Sequence, residues 1–272
     1  MTTWQKAIKY VAMAFAVLLI VSIVGNALRL VASFTLLFGN NNTTKDLENL
    51  TFGGAAENLV VEVNAADFEI KSGEAFGIET NNKNIIVREK SGTLIITEKK
   101  RLWSGITKGS QLVITLPDDL VLNKADIKTG AGKLNIEELA ADKLNLELGA
   151  GEVNIKSLTA LEKSEIQGGA GKITISDGEL TELDFEMGIG ELNLTTKLQQ
   201  DCEINAGISD ANITLLGSDK DYCIEIEKGI GKALVDGEEM RNGNIYGTGR
   251  TEVEISGGIG EIKVDFKSEV TE

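Results

Sequence analysis

Histidine is absent from the 272 residues, and proline and cysteine nearly so, with one and two residues. Without histidine, serine–histidine and cysteine–histidine nucleophiles and histidine-ligated metal sites are excluded. The two cysteines, Cys202 and Cys223, are too few for a disulfide framework or a cysteine metal site. They could form one disulfide between neighbouring repeats, or they could be two unpaired cysteines that pack as small apolar residues. The sequence does not decide between these two alternatives.

Positive charge and aromatic rings are also scarce. Lys and Arg number 27 against 42 Asp and Glu, a net charge of −15. Proteins that bind nucleic acid need a basic surface for the phosphates, so we expect no nucleic-acid partner. In contrast, 30 glycines accompany the single proline. Disordered segments would be rich in both residues, so we infer that the glycines occupy fixed structural positions.

The longest apolar run lies near the amino terminus. It begins at Tyr10, is interrupted by Arg29 and ends at Phe38. About 20 apolar residues cross a bilayer as a helix, so we predict that residues 10–38 form a transmembrane signal anchor. A cleaved signal peptide is the alternative, but the run is longer than a usual signal core.

The charges beside this run orient it. Lys6 and Lys9 precede the run, and positive residues stay on the cytoplasmic side of a membrane. We therefore expect residues 1–9 in the cytoplasm and a single-pass protein of the cell membrane with an extracellular carboxy-terminal domain. Residues 39–50 are predicted to be a polar linker.

A seven-residue motif, G-x-G-charged-apolar-x-apolar, recurs through the second half of the chain. Its copies begin at residues 130, 149, 169, 188, 207, 229 and 258, which are offsets of 19, 20, 19, 19, 22 and 29. A weaker copy begins at Asn64. In each copy polar and apolar residues alternate, as Lys133 and Asn135 do with Leu134 and Ile136. A period of two predicts a strand with one buried face.

A unit of about nineteen residues cannot enclose a core alone, but stacked units can. We therefore predict an all-β fold: a single-stranded, β-helix-like solenoid over residues 129–272, preceded by an irregular β region over residues 51–128. The middle residue of each G-x-G, such as Ile189, is expected to point inward. The insertion at residues 236–250 is expected to cap the stack. The motif glycines are predicted to form the turns, because glycine tolerates positive φ and close backbone approach: Gly130, Gly132, Gly149, Gly151, Gly169, Gly171, Gly188, Gly190, Gly229, Gly231, Gly258 and Gly260.

Stacking explains why the charge after G-x-G reverses from copy to copy. The position reads Lys133, Glu152, Lys172 and Glu191, and continues with Asp210, Lys232 and Glu261. Equivalent residues of stacked rungs lie about 4.8 Å apart. Opposite charges at that spacing attract by a few tenths of a kcal/mol, so this charge ladder favours one register. An adjacent column of mostly asparagines predicts amide stacking.

A second outward column carries charge of one sign. Glu165, Asp184, Glu203 and Glu225 are predicted to stack as an acidic strip. One interpretation is that the strip keeps the protein soluble. The other is that it recruits cations, either weakly held calcium or the basic groups of a partner.

Residues 99–108 form a basic segment that contains Trp103. Such a loop could contact anionic lipid or a teichoic-type cell-wall polymer, or could be a solvated hairpin tip.

No catalytic, cofactor-binding or metal-binding constellation emerges. β-Helical enzymes that cleave carbohydrate need paired carboxylates at a set separation or a bound calcium, whereas the carboxylates here form uniform columns. We therefore predict a protein that is not an enzyme and needs no cofactor.

Taken together, these motifs resemble a known family. The apolar anchor, NAADFEI at Asn64, LVITLP at Leu112, the tandem G-x-G units and a final ISGGIGEIKV are similar to the bacterial putative-adhesin family of β-strand-repeat domains, over residues 50–266. The resemblance implies a membrane-anchored surface protein of unknown specific function, of the kind found in Gram-positive bacteria. The family defines no catalytic residues, so none is transferred.

Two functions fit these features. The first is an adhesin-like surface module that contacts a cell-wall polymer or a membrane-protein partner. The second is an envelope-stress sensor or regulator that acts through membrane partners.

Overall fold

Alternation of polar and apolar residues makes strands of this chain. The structure, a computed structural model, describes residues 47–50, 56–99 and 109–268, and its regular elements there are all β-strands. They belong to one compact unit, Asn42–Glu272. The predicted anchor at residues 10–38 and the loop around Trp103 lie outside the described residues. Within the described part, no helix has the length and apolar character needed to cross a bilayer.

In the described residues, seventeen strands make up a single sheet that winds around the core. In chain order they are β1 Glu48–Asn49, β2 Asn58–Gly73, β3 Gly77–Thr80, β4 Ile85–Lys90, β5 Thr93–Glu98, β6 Gln111–Pro117, β7 Val121–Ile175, β8 Gly178–Thr181, β9 Leu183–Gln199, β10 Cys202–Asn205, β11 Ile208–Leu216, β12 Tyr222–Ile230, β13 Ala233–Val235, β14 Glu238–Glu239, β15 Ile245–Tyr246, β16 Thr251–Ile259 and β17 Ile262–Lys267.

Successive repeats stack through parallel, in-register pairing. Phe68 of β2 lies opposite Leu134 of β7, Ile173 of β7 opposite Leu192 of β9, and Leu192 opposite Ala211 of β11. Equivalent positions of the G-x-G motif therefore share one column. The predicted all-β solenoid is confirmed.

The order of the last two rungs differs from the order in the sequence. β16 pairs with β10 on one side and with β12 on the other, and β17 pairs with β11 and β13 in the same way. The last repeat in the chain therefore lies between the two repeats that precede it. The prediction that Asp210 and Lys232 are ladder neighbours is wrong, because Glu261 stands between them.

At the opposite end of the stack, β2 is likewise placed between two other segments of the chain. β2 pairs in parallel with β7 on one side and with β5 and β6 on the other. Residues 58–73 thus form a rung of the stack, and the predicted boundary at residue 128 lies inside β7. At each end, the outermost rung comes from an internal segment of the described chain.

Antiparallel strands cover both outermost rungs. At one end β4 pairs with β5, and β3 with β6. At the other, β15 pairs with β12 and β14 with β13, and both covering strands lie within the insertion at residues 236–250. Covered ends oppose the addition of further strands from other chains.

Alternate side chains fill the interior, and one apolar cluster extends from Ala56 to Val264. The middle residue of the G-x-G turn is not part of it. Ala131 and Ile189 are only half-buried and Ile230 is 73% exposed, so the predicted inward orientation is wrong. Met187 and Leu192 are both buried although they are five positions apart, so the alternation changes phase within the turn that contains Ile189.

The cysteines are both free thiols. Cys202 is buried opposite Val253, while Cys223 is half-buried opposite Glu252, so the two side chains belong to opposite phases of the alternation and β16 separates their strands. The open possibility of a disulfide is thereby decided against. Burial raises the pKa of the Cys202 thiol to about 11, which keeps it protonated at neutral pH.

Candidate functional site

The motif glycines bring neighbouring rungs close together. The second glycine of each pair has a φ that side chains rarely adopt, such as +142° at Gly171 and +145° at Gly190. A Cβ at Gly171 would lie 2.9 Å from the Gly151 carbonyl carbon and would overlap the oxygen of the same group. The second glycines are therefore required both by φ and by contact with the next rung, and the first glycines, such as Gly149, by contact alone.

The predicted charge ladder lies on the outer face beside this glycine column. Lys133 Nζ is 3.7 Å from Glu152 Oε2, and Lys172 Nζ is 2.9 Å from Glu191 Oε1. Hydrogen bonds from Asn193 and Lys172 lower the pKa of the Glu191 carboxyl. All four ladder side chains are about half exposed, so each pair contributes little to stability.

The alternation of positive and negative charge along the ladder ends at Asp210, where the order of the rungs departs from the order of the sequence. Asp210 lies between Glu191 and Glu261, and its Oδ1 accepts a hydrogen bond from the Glu261 backbone N–H at 3.0 Å. Lys263 Nζ, 3.5 Å from Glu261 Oε2, supplies a counter-charge from the adjacent column. Backbone and neighbouring groups thus stabilise acids that the ladder leaves unpaired.

The asparagine column forms amide contacts along part of its length. Asn154 Nδ2 donates to Asn135 Oδ1 at 3.4 Å, and Asn212 Nδ2 donates to Asn193 Oδ1 at 3.1 Å. Thr174 stands between the two pairs, and its buried hydroxyl has no hydrogen-bond partner among the described residues. The shorter side chain interrupts the amide ladder.

The predicted acidic strip is a column with one more member. Asp184 lies opposite Glu165 and Glu203, Glu203 lies opposite Glu254, and Glu254 lies opposite Glu225. The prediction that Glu203 and Glu225 are neighbours is wrong, because β16 inserts Glu254 between them. Five acids therefore follow one another at the rung spacing of about 4.8 Å.

One cation lies at the end of this strip. Lys163 forms an ion pair with Glu165, and that hydrogen bond raises the pKa of the Lys163 ammonium. In the part of the chain that the structure describes, no three acidic or cysteine side chains are grouped so that they could hold a metal ion. A straight column spaces its carboxylates along an axis, whereas calcium needs several oxygens at 2.3–2.6 Å from one point. Cation recruitment by the strip remains a prediction.

Two cavities lie elsewhere on the stack. A cavity of about 20 Å³ lies at the glycine corners, beside Gly132, Gly151 and Gly171, and has room for about one water molecule. A much larger pocket, of about 570 Å³, opens where β9 and β11 end and β16 begins. We name it the basic pocket because, among the described residues that line it, three are cations, Lys197, Lys220 and Arg250, and one is a carboxylate, Asp221.

Sequence reasoning missed the basic pocket. Lys220 and Asp221 lie in the turn between β11 and β12, where the motif offset lengthens from 19 to 22 residues. Arg250 is the last residue of the insertion at residues 236–250. The irregular offsets were the available signal, since extra residues at a corner must leave the regular path of the chain.

Local hydrogen bonds fix the wall of this pocket. Asp221 Oδ2 accepts from the Ser218 backbone N–H at 2.8 Å and from Ser218 Oγ at 2.9 Å. These bonds, and less strongly the charge of Lys197, lower the pKa of Asp221. The hydroxyl of buried Tyr222 donates to Leu216 O at 2.6 Å, which ties the start of β12 to the end of β11.

Known proteins were compared with the chain. Among curated proteins, none matches. Three similar solved structures are described as a putative cell adhesion protein from Clostridium sporogenes and putative adhesins from Bacteroides fragilis and Parabacteroides distasonis. Their identities are 17%, 14% and 15%, and their TM-scores 0.34, 0.44 and 0.43. The alignments cover 82%, 81% and 82% of this chain and 99%, 98% and 98% of those chains.

A family model described as Toastrack DUF4097 matches residues 56–267, which is most of the chain and nearly all of the stack. The resemblance to a β-repeat family of unknown function, predicted from the motifs, is confirmed, and the chain belongs to the Toastrack DUF4097 family.

Proposed function

We propose that the protein is a non-catalytic, membrane-anchored module of the bacterial cell surface that binds partners through the sides of its stack. The observation that carries this proposal is the in-register stacking of the repeats. Because equivalent residues share a column, one position per repeat sets the chemistry of a surface several rungs long. Such a surface suits an extended partner better than a small substrate.

The acidic strip is the clearest surface of this kind. Asp184 and Glu203 are exposed, and Glu254 continues the column between Glu203 and Glu225. Flanking columns add further acids to the same face: Glu182, Glu186, Asp201, Glu252 and Glu227. Potential from many charges of one sign extends about a Debye length, roughly 8 Å at physiological salt. The fitting partner is a membrane or surface protein with a basic face.

The membrane anchor rests on the sequence of residues 10–38. Protease added to intact, wall-stripped cells should degrade the chain beyond residue 38 and leave a short amino-terminal fragment. The stack is extracellular in this proposal, so cleavage at residues 56–267 only after lysis would refute the proposed location.

The interaction surface is tested with charge variants. The full chain, used as bait for native envelope proteins, is compared with a variant carrying Asp184→Asn, Glu203→Gln and Glu254→Gln. A matched control carries Glu137→Gln, Glu152→Gln and Glu162→Gln, which removes the same charge from elsewhere. Loss of a partner in the strip variant alone supports the proposal. Equal capture by all three proteins contradicts it.

A further inference from the structure

We propose that the basic pocket binds a phosphorylated polyol or sugar. The pocket differs in charge from the rest of the protein. Among its described lining residues, Lys197, Lys220 and Arg250 carry positive charge and Asp221 carries negative charge, whereas the chain as a whole has a net charge of −15. The acidic surface repels oxyanions over most of the protein, whereas the pocket attracts them. An oxyanion should therefore bind here rather than elsewhere on the surface.

The three cations that line the pocket come from different segments. Lys197 lies near the end of β9, Lys220 in the turn before β12, and Arg250 directly before β16. In the described part of the chain, neither Lys220 nor Arg250 forms a side-chain ion pair. Both are exposed, so their donors are available to a ligand. Arginine and lysine are the side chains that bind phosphate oxygens through charge-assisted hydrogen bonds.

The rest of the lining fits a hydroxylated ligand body. Gln199 and Ser218 line the pocket, but the Gln199 amide N–H donates to Glu179 and the Ser218 hydroxyl to Asp221. The hydroxyls of Thr251 and Ser268, which also line it, can donate to and accept from ligand hydroxyls. Half-buried Leu216 adds apolar area that can pack against carbon atoms. This mixture of few charges, several hydroxyls and some apolar wall is the chemistry of a polyol or sugar site.

The pocket wall is preorganised by bonds within the protein. Asp221 is held by Ser218, and the Thr251 backbone N–H donates to Asp221 O at 3.3 Å. The Gly217 backbone N–H donates to Lys267 O at 2.9 Å. A wall that is already fixed costs little ordering entropy when a ligand binds.

Size and charge together limit the ligand. A volume of about 570 Å³ lies within the range of small-molecule sites and exceeds what a single phosphate ion fills. A long polyanion would extend over the acidic surface around the pocket, which opposes its binding. The occupant is therefore a short unit with one or two phosphates. It could be the end of a glycerol-phosphate wall polymer or a phospholipid headgroup, which share this chemistry.

This inference deepens the proposed function, since only a surface location brings either source to the pocket, but binding itself does not depend on location. Two probes are measured by calorimetry against the purified full chain in mild detergent: glycerophosphoglycerol, the deacylated headgroup, and a soluble glycerol-phosphate oligomer that carries two phosphates. Both should bind, with affinity that falls as NaCl rises from about 50 to 200 mM, because salt screens charge pairs. Tighter binding of the oligomer indicates a polymer end, and tighter binding of glycerophosphoglycerol indicates a headgroup.

Variants decide whether the pocket is responsible. Lys220→Gln with Arg250→Gln should weaken both probes by about tenfold or more, because two charge-assisted contacts are lost. The control, Lys124→Gln with Lys143→Gln, removes the same charge from exposed positions outside the pocket and should leave binding unchanged. The proposal is overturned if neither probe binds, or if the two double variants bind alike. Protease exposure of the stack on cells is independent of these results, so failure of the pocket and failure of the proposed location are distinguishable.

Discussion

Replacing Gly171 by alanine should destabilise the stack by about 3 kcal/mol. Two costs arise at this position. The φ of +142° is one that a residue with a Cβ adopts only with strain of roughly 1–3 kcal/mol. The new Cβ would also lie 2.9 Å from the Gly151 carbonyl carbon and would overlap its oxygen. The two rungs must therefore separate locally, and the loss of about two ladder hydrogen bonds costs about 1 kcal/mol each. A gain of about 0.4–1 kcal/mol, from stiffening of the unfolded chain, offsets part of this.

Gly243 provides a matched control. Its φ is +80°, but a Cβ there would meet nothing within 4 Å. Gly243→Ala therefore has backbone strain without contact between rungs, and we expect a loss of about 1 kcal/mol or less.

The assay is guanidinium unfolding of the purified chain, followed by far-ultraviolet circular dichroism. The free energy of unfolding of each variant is compared with that of the parent chain. The comparison requires that the slope of this free energy against guanidinium concentration is unchanged, since a different slope would mean that the rungs unfold separately. If Gly171→Ala costs no more than Gly243→Ala, then close contact between rungs does not explain the glycine column, and the reasoning is refuted.

Three further predictions concern the ladder and the inserted rung. Lys172→Glu should destabilise the stack by less than about 1 kcal/mol and Glu191→Lys in the same chain should recover part of the loss; additive effects in denaturant unfolding would show that the two residues do not interact. The lowered pKa of Glu191 means that its contribution is present above the unfolded value of 4.5 and is lost as pH falls through the lower folded value. Glu191→Gln should therefore cost a few tenths of a kcal/mol at pH 7 and less at a pH below the folded value, and an equal change in melting temperature at the two pH values would contradict this. A chain that ends at Arg250 lacks β16 and β17, and residues 222–235 should then lose protection from hydrogen exchange, because both of their parallel partners are gone. Persistent protection there would mean that β12 and β13 can stack on β10 and β11 directly.

The repeat units were predictable because stacking imposes the same demand at every rung. Leu134 and Ile136 must be apolar to fill the core, and Gly132 must lack a side chain to let the next rung approach. Each demand leaves a residue type at a fixed offset, so the fold class and the turn glycines could be read from spacing alone. The inward orientation assigned to Ile189 failed because alternation does not hold across the turn, where buried Met187 and Leu192 are five positions apart.

The order of the last rungs could not be predicted from the charges. Sequence order would have placed Asp210 beside Lys232, which is favourable, whereas the structure places Asp210 beside Glu261. A surface pair of this kind is worth less than about 1 kcal/mol. The insertion at residues 236–250 has a larger effect, because it lets the chain pass to the far side of β12 and supplies β14 and β15 to cover the outermost rung. Similar repeats stack almost equally well on one another, so the connection decides which of them become neighbours.

The same rearrangement creates the basic pocket. In an uninterrupted stack, Arg250 would begin the outermost rung, with the whole of β12 and β13 between it and the end of β11. Insertion of β16 brings Thr251 opposite Tyr222 and sets Arg250 beside the turn that carries Lys220. No local sequence motif predicts that these three cations lie close together. They come from three separate segments, which become neighbours only because β16 is inserted between β10 and β12. The site that departs most from the acidic surface is therefore found where the chain departs from the order of its repeats.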